Sequence, residues 1–185
     1  YSMKIAPMDA DSYGAVLSAR KTIDAAGGEG KPLWISEIGW PTAYVSREES
    51  AAYNMQFYAM MTRPELNVAK VLYYDFQDDG LDPLMQESNF GIIRPWADCS
   101  TPFLAKPGYL AAANINSILT GAEFVECNDQ GGDQPVTYRY KCPDGQDVLM
   151  LWAYPENQQV TMDLGSEDVV VYNIYGTKMD VYQQN

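Results

Sequence analysis

The chain has 185 residues, of which 46% are hydrophobic, and its formal net charge is −13, with 12 Lys and Arg against 25 Asp and Glu. So acidic a surface repels phosphate backbones and anionic lipids, which argues against nucleic acid or a membrane as partner, and no apolar run is long enough to span a bilayer. The absence of histidine excludes Ser-His-Asp and Cys-His catalysis and removes the commonest zinc ligand, so we expect no metal or cofactor and assign any acid–base chemistry to carboxylates, Tyr or Lys.

The first part of the chain alternates helical and strand patterns. Residues 11–26 have a rough apolar stripe and predict a helix that ends at a Gly-Gly pair. The apolar run at residues 33–36 predicts a buried strand. Residues 46–49, Ser-Arg-Glu-Glu, predict a capping box at the start of a second helix, which ends at Pro64.

A second strand and a long loop follow. Residues 68–76 predict another buried strand, and three polar residues come directly after it. The loop that runs to about residue 105 contains several large apolar residues, among them Phe90 and Trp96, so we expect it to pack against the protein. Pro107 then predicts the start of a third helix, which Gly121 ends.

The pattern changes to short alternating segments after Gly121. These segments predict strands separated by turns, and we interpret residues 123–185 as an antiparallel β domain that follows a first domain at residues 1–122. The predicted strands are Val136–Tyr140, Val148–Tyr154, Val160–Leu164, Val169–Tyr175 and Met179–Tyr182.

The three cysteines are Cys99, Cys127 and Cys142. None belongs to a CxxC pair, which argues against a metal knuckle. Cys127 and Cys142 lie at the ends of two candidate neighbouring strands, and the sequence allows either a disulfide or two buried thiols. A disulfide favours export, so a secreted or periplasmic location is our expectation.

Glu37 is the most informative residue of the chain. It ends the strand predicted at residues 33–36, and Gly39 and Pro41 then interrupt regular structure. α/β barrels keep their catalytic residues at the carboxyl ends of buried parallel strands. The alternative for such a carboxylate is a capping or ion-paired role.

The motifs around Glu37 carry a resemblance to a known group of enzymes. Residues 34–41, Trp-Ile-Ser-Glu-Ile-Gly-Trp-Pro, resemble the nucleophile strand, the seventh, of retaining glycoside hydrolases of the (β/α)8-barrel clan A. Residues 71–80 resemble the eighth strand, and residues 89–93 and 106–109 resemble the closing loop and the last helix. The segments after residue 122 resemble the small β-sandwich of the xylosidase and iduronidase families.

This resemblance implies a fold and a reaction. The fold is α/β plus all-β: the C-terminal part of a (β/α)8 TIM barrel at residues 1–122, then an antiparallel β-sandwich at residues 123–185. Retaining glycosidases cleave O-glycosidic bonds with two carboxyl groups about 5 Å apart, and Glu37 matches the catalytic nucleophile. The resemblance puts the acid/base on an earlier strand, the fourth, which this chain does not contain.

A complete barrel needs about 250 residues, so we expect the remaining barrel segment to come from the same precursor or from another chain. The isolated chain is expected to be inactive, because its nucleophile has no acid partner. The expected substrate is a carbohydrate, with Trp40, Tyr73 and Asp75 as candidate substrate-binding residues. The alternatives are packing on the barrel rim for Trp40, packing in the core for Tyr73, and holding a neighbouring loop for Asp75.

Two other interpretations stay open. Asp75, Asp78 and Asp79 form a carboxylate cluster that calcium could use, although their spacing is not that of an EF-hand and solvated loop acids are favoured. The chain could also be a non-catalytic carbohydrate-binding or structural module. Its β domain is rich in aromatic residues, although alternation puts many of them on a buried face.

Overall fold

A computed structural model describes residues 4–157, 159, 162, 165 and 169–180 of the chain. The chain divides into two compact units, Tyr1–Ala113 and Asn114–Asn185. The division falls inside the third helix, and the domain boundary after residue 122 stays a prediction. Most of the predicted strand Val160–Leu164, and the last residues of Met179–Tyr182, lie outside the described residues.

The first unit consists of helices and parallel strands, as the sequence predicts. Its described helices and strands, together with the third helix that continues into the second unit, are α1 (Ser12–Ile23), β1 (Leu33–Ile38), α2 (Arg47–Met61), β2 (Val68–Tyr73) and α3 (Pro107–Leu119). A π-helical turn, Asp24–Gly28, extends α1. Within this turn Gly27 leaves the helical conformation, with a φ of 83° that a residue with a side chain rarely adopts.

Helix α2 begins at the predicted capping box. The Ser46 hydroxyl accepts a hydrogen bond from the Glu49 backbone N–H (3.1 Å), and the Glu49 carboxylate accepts one from the Ser46 N–H (2.8 Å). The backbone bond from Ser46 lowers the pKa of Glu49. Further along the helix, Ala51, Met55 and Ala59 are buried and lie on one face at helical spacing.

Strands β1 and β2 pair in parallel. β2 ends at Tyr73 instead of continuing to residue 76, because the chain leaves β1 and the Asp75 N–H donates to the Phe90 carbonyl (3.2 Å). The prediction that both strands are buried is wrong: Trp34 is 60% exposed and Leu72 46%. Parallel sheets normally have both faces covered by other elements. The face of the sheet that carries Trp34 and Leu72 is largely exposed among the described residues.

The long loop after β2 is largely packed. Phe90 and Ile93 are buried, and Ile93 forms isolated bridges to Gln77 and Ala105. Trp96 differs from the expectation, since it is 73% exposed. The buried carboxylate of Asp98 organises the turn beside it, accepting a 2.7 Å bond from Arg94.

The second unit contains antiparallel strands. These are β3 (Glu123–Asn128), β4 (Val136–Lys141), β5 (Asp147–Trp152), β6 (Val171–Tyr172) and β7 (Lys178–Met179). β3, β4 and β5 form one sheet in that order, and β6 pairs with β7. Cys127 lies next to the last residue of β3, the candidate strand for which the sequence predicts no bounds. The turn between β4 and β5 uses Gly145 at a φ of 87°, as its Pro-Asp-Gly sequence predicts.

Cys127 and Cys142 do not form the disulfide that the sequence allowed. Cys127 pairs in register with Tyr138, inside β4, whereas Cys142 follows the far end of that strand. The register therefore separates the two sulfur atoms, and the Cys142 thiol instead lies 3.6 Å from the Ile118 carbonyl oxygen.

The coarse fold prediction is thus confirmed: helices and parallel strands are followed by antiparallel sheets. The described residues form no closed barrel, and the sandwich arrangement of the second unit stays a prediction.

Candidate active site

A β-bulge near the end of β1 exposes Glu37. Ile35 pairs with Val71 and Ile38 pairs with Tyr73, so β1 has one residue more than β2 between these pairs. Strict alternation would put Glu37 on the face of Ile35. The extra residue breaks that alternation, and Ser36 and Glu37 are both exposed. Bulges of this kind commonly re-aim a side chain beside a functional site.

Glu37 lines a cleft of about 420 Å³, a volume within the range of small-molecule sites. The cleft is mainly apolar with a few polar groups, a composition typical of ligand pockets. Glu37, Tyr74 and Glu87 supply its polar side chains, and the remaining lining residues are Val16, Ile35, Ile38, Gly39, Phe57 and Phe90.

Tyr74 and Glu87 form a second polar wall. The Tyr74 hydroxyl donates a 3.3 Å hydrogen bond to the Glu87 carboxylate. Desolvation, with the negative charges of Glu87, Asp79 and Asp75 next in order, raises the pKa of Tyr74, so the phenol keeps its proton and stays a donor. The Tyr74 ring also packs edge-on against Phe90, with 5.1 Å between the ring centroids.

Gly39 allows this wall to approach β1. A Cβ atom at Gly39 would overlap the Tyr74 carbonyl oxygen and would lie 3.1 Å from the Phe90 ring. The Tyr74 N–H donates to the Ile38 carbonyl (2.8 Å), so the two backbones are in direct contact here. Only glycine fits at this position, which gives a physical reason for the glycine two residues after Glu37.

A buried ion pair anchors the loop that carries Glu87. The Lys106 ammonium group lies 2.8 Å from the Asp78 carboxylate, and both side chains are at least 96% buried. The same ammonium group donates to the Thr42 hydroxyl (3.2 Å) and to the Asn89 carbonyl (3.4 Å). Desolvation lowers the pKa of Lys106, and the bond to Asp78 opposes this shift. The pair ties together the segment after β1, the long loop and the start of α3.

Trp40, a predicted substrate-binding residue, is not among the residues that line the cleft. Its side chain is fully buried, its Nε1–H donates to the Ile5 carbonyl (2.8 Å), and its ring packs against Tyr53 and Phe57. This is the packing alternative that the sequence left open. Additional protein around this unit would not expose the Trp40 ring.

Tyr73 and Asp75, the other two candidates, are also absent from the cleft lining. The Tyr73 hydroxyl accepts a 2.9 Å hydrogen bond from the amide of Asn54 on α2, and burial raises the pKa of Tyr73 to about 12. The Asp75 carboxylate bonds to the backbone N–H of Phe76. Both side chains therefore have local structural partners.

Neither a metal site nor a membrane span is visible in the part of the chain that the structure describes. No group of three His, Cys, Asp or Glu side chains there could hold a metal ion. Of the three aspartates that follow β2, Asp78 already forms an ion pair with Lys106. No described helix is long and apolar enough to cross a membrane.

Sequence reasoning missed Tyr74 and gave Glu87 no specific role. Tyr73 ends β2 and Tyr74 follows it, and the sequence alone does not decide which of the two turns toward α2. Glu87 is distant from Glu37 along the chain. Its place in the cleft depends on how the long loop folds back, for which the sequence has no periodic signal.

One comparison with known proteins supports the fold. Among solved structures, the chain is similar to a family 39 glycoside hydrolase from the gut symbiont Bacteroides cellulosilyticus WH2, with a TM-score of 0.71 and 24% sequence identity. The match covers 92% of this chain and 34% of that one, so the chain spans about a third of the neighbour's length. A scan against family models found no match, and neither did a search of curated proteins. The predicted fold relation to glycoside hydrolases of this type is therefore supported.

Proposed function

We propose that this chain is part of a retaining glycoside hydrolase that cleaves O-glycosidic bonds, with Glu37 as the catalytic nucleophile. The observation that carries the proposal is the position of Glu37. It is an exposed carboxylate at the carboxyl end of a parallel strand, and it lines a cleft of about 420 Å³. The fold, similar to that of a family 39 glycoside hydrolase, supports the same reaction class.

The mechanism follows from the chemistry of a carboxylate in such a cleft. The ionised Glu37 carboxylate attacks the anomeric carbon and forms a glycosyl–enzyme ester as the leaving oxygen departs. A second carboxyl group protonates that oxygen and later takes a proton from the attacking water. We assign this second group to a barrel segment beyond this chain, in the same precursor or in another chain, so the isolated chain should not cleave ordinary glycosides.

A substrate that needs no acid partner allows a sharp test of the nucleophile on the 185-residue chain itself. A 2,4-dinitrophenolate group leaves without protonation, so an acid partner is not needed for the first step. A 2-deoxy-2-fluoro glycoside with this leaving group should therefore label Glu37 covalently, because its glycosyl ester is hydrolysed very slowly. Intact-mass and peptide mass spectrometry would detect and locate one glycosyl adduct.

Glu37→Gln should remove the adduct, and Glu29→Gln, at an exposed glutamate outside the cleft lining, should keep it. Equal labelling of Glu37→Gln, or an adduct on another residue, would contradict the assignment. In the enzyme completed by its remaining segment, Glu37→Gln should lower kcat/KM on aryl glycosides roughly a thousandfold or more.

The alternative of a carbohydrate-binding module receives little support from the second unit. Tyr138 and Tyr140 are almost fully buried, and Tyr138 stacks on Trp152 with 5.4 Å between the ring centroids. Aromatic residues that fill a core cannot also form a platform for sugar rings.

A further inference from the structure

Glu87 is a second carboxylate of the cleft, and the proposed mechanism does not use it. Its side chain is exposed, although the next two residues, Ser88 and Asn89, are buried. The three residues form a short 3₁₀ turn. The buried neighbours fix the backbone from which the exposed Glu87 side chain projects.

Hydrogen bonds to Asn89 hold this turn in place. The Asn89 side-chain amide donates to the carbonyls of Asp82 and Met85, each at 2.7 Å. The Asn89 carbonyl accepts from the Thr42 N–H (3.0 Å) and from the Lys106 ammonium group (3.4 Å). Lys106 is in turn paired with buried Asp78 (2.8 Å). The turn that carries Glu87 is thus tied to the segment that follows Glu37.

Tyr74 orients the Glu87 carboxylate from the cleft side. Its hydroxyl donates to one carboxylate oxygen, Oε2, at 3.3 Å. The Gln86 side-chain amide donates to the other carboxylate oxygen, Oε1, at 3.5 Å. A carboxylate offers about four acceptor positions, and these two bonds use one on each oxygen. Each oxygen keeps a second acceptor position for hydroxyl donors, which is what a sugar presents.

From this geometry we propose that Glu87, oriented by Tyr74, binds a pair of neighbouring hydroxyl groups of the sugar in the cleft and so contributes to substrate specificity. The inference rests on the proposed function, since it needs a sugar beside Glu37. Two carboxylate oxygens side by side match two vicinal hydroxyl groups, as they match other paired donors. Glu87 does not react: it selects sugars that have both hydroxyl groups in reach.

The test is a binding measurement on the 185-residue chain. Methyl glycosides of D-xylose, D-glucose, D-galactose and L-arabinose are titrated by NMR, and each single-deoxy analogue of the best binder follows. Glu87→Ala should weaken binding of the best glycoside about 10- to 100-fold, the usual loss for hydrogen bonds to a charged group. Tyr74→Phe should weaken it less, because the carboxylate remains.

The deoxy analogues distinguish a direct contact from a structural effect. The analogue that lacks a contacted hydroxyl should bind weakly to the parent chain, and Glu87→Ala should change that affinity little. Other analogues should still lose affinity in the variant. Glu29→Gln is the control for a lost surface charge and should bind every probe as the parent does.

Two outcomes would overturn the inference: equal affinity of the parent and Glu87→Ala for the best glycoside, or no binding of any probe by the parent. The first, together with covalent labelling of Glu37, would leave the proposed function standing. Conversely, binding that depends on Glu87 without labelling of Glu37 would support the hydroxyl contact and contradict the nucleophile assignment.

Discussion

The two faces of the β1–β2 sheet are covered very differently. On one face, α2 bonds to the sheet: Tyr58 donates to the Val71 carbonyl (2.9 Å) and Asn54 to the Tyr73 hydroxyl (2.9 Å). On the other face, Trp34 and Leu72 are exposed. On that face the Lys70 ammonium group lies 4.4 Å from the centre of the Trp34 ring.

The difference between the two faces shows where this unit has already covered its sheet and where it has not. A parallel sheet normally has both faces covered, and a large exposed apolar surface usually marks an interface. The uncovered face therefore supports the proposal that further barrel strands pack against this unit. Glu37 lies at the end of the same sheet, so under this proposal the added strands would be close enough to supply the acid/base.

A matched pair of leucines gives the largest expected effect. Leu66, just before β2, is fully buried, whereas Leu72 within β2 is 46% exposed. Leu66→Ala should lower the free energy of unfolding by about 2–5 kcal/mol, because it leaves a cavity. Leu72→Ala should change it by about 0.5 kcal/mol or less. Urea denaturation of the isolated chain would measure both, and similar losses would mean that the two sites are equally covered.

Alkaline titration tests whether Tyr73, on the face covered by α2, is shielded from water. The expected effect on the free energy of unfolding is intermediate in size. The pKa of Tyr73 is raised to about 12 by burial, so the folded state keeps a proton that the unfolded state loses near pH 10. The raised pKa of Tyr73 therefore contributes roughly 2–3 kcal/mol to the free energy of unfolding. This stabilisation is fully present below about pH 10 and is lost as the pH rises to about 12.

Tyr73→Phe should remove this part of the pH dependence, measured as the unfolding free energy against pH. Ultraviolet difference titration should also show one late-titrating tyrosine fewer. Tyr172→Phe, at a half-exposed tyrosine, is the control and should leave the late step unchanged. An unchanged late step in Tyr73→Phe would mean that Tyr73 is accessible to water.

The smallest expected effect concerns the helix that covers the sheet. Ser46→Ala removes the side-chain half of the capping box of α2 and should cost about 1 kcal/mol of unfolding free energy. Ser46→Asp, which keeps an acceptor at the cap, should restore most of this loss. If Ser46→Ala left the unfolding free energy unchanged, packing alone, without the cap, would hold α2 on the sheet.

Local chemistry made several features predictable from the sequence. Ser46 and Glu49 form the capping box, Pro107 begins α3, and Gly145 makes the turn between β4 and β5. The parallel order of the two strands was also predicted, as was a carboxylate at the end of the first. Each of these depends on residues that are close in sequence or on the period of a single element.

Contacts between distant segments decided the rest. The bulge that exposes Glu37 depends on the register with β2, and the same register turns Tyr73 toward Asn54 and leaves Tyr74 in the cleft. Trp40 is buried because Ile5 and α2 surround it. Such contacts have no periodic signal, since they depend on where separate elements meet.

The sequence by itself thus determined that the chain has helices with parallel strands, then antiparallel strands, and that a carboxylate ends the first strand. Only the tertiary structure decided which side chains surround that carboxylate. The physical reason is that Glu87 reaches the cleft through a buried network, with Lys106 and Asp78 at its centre. That network forms only when the loop folds back on β1.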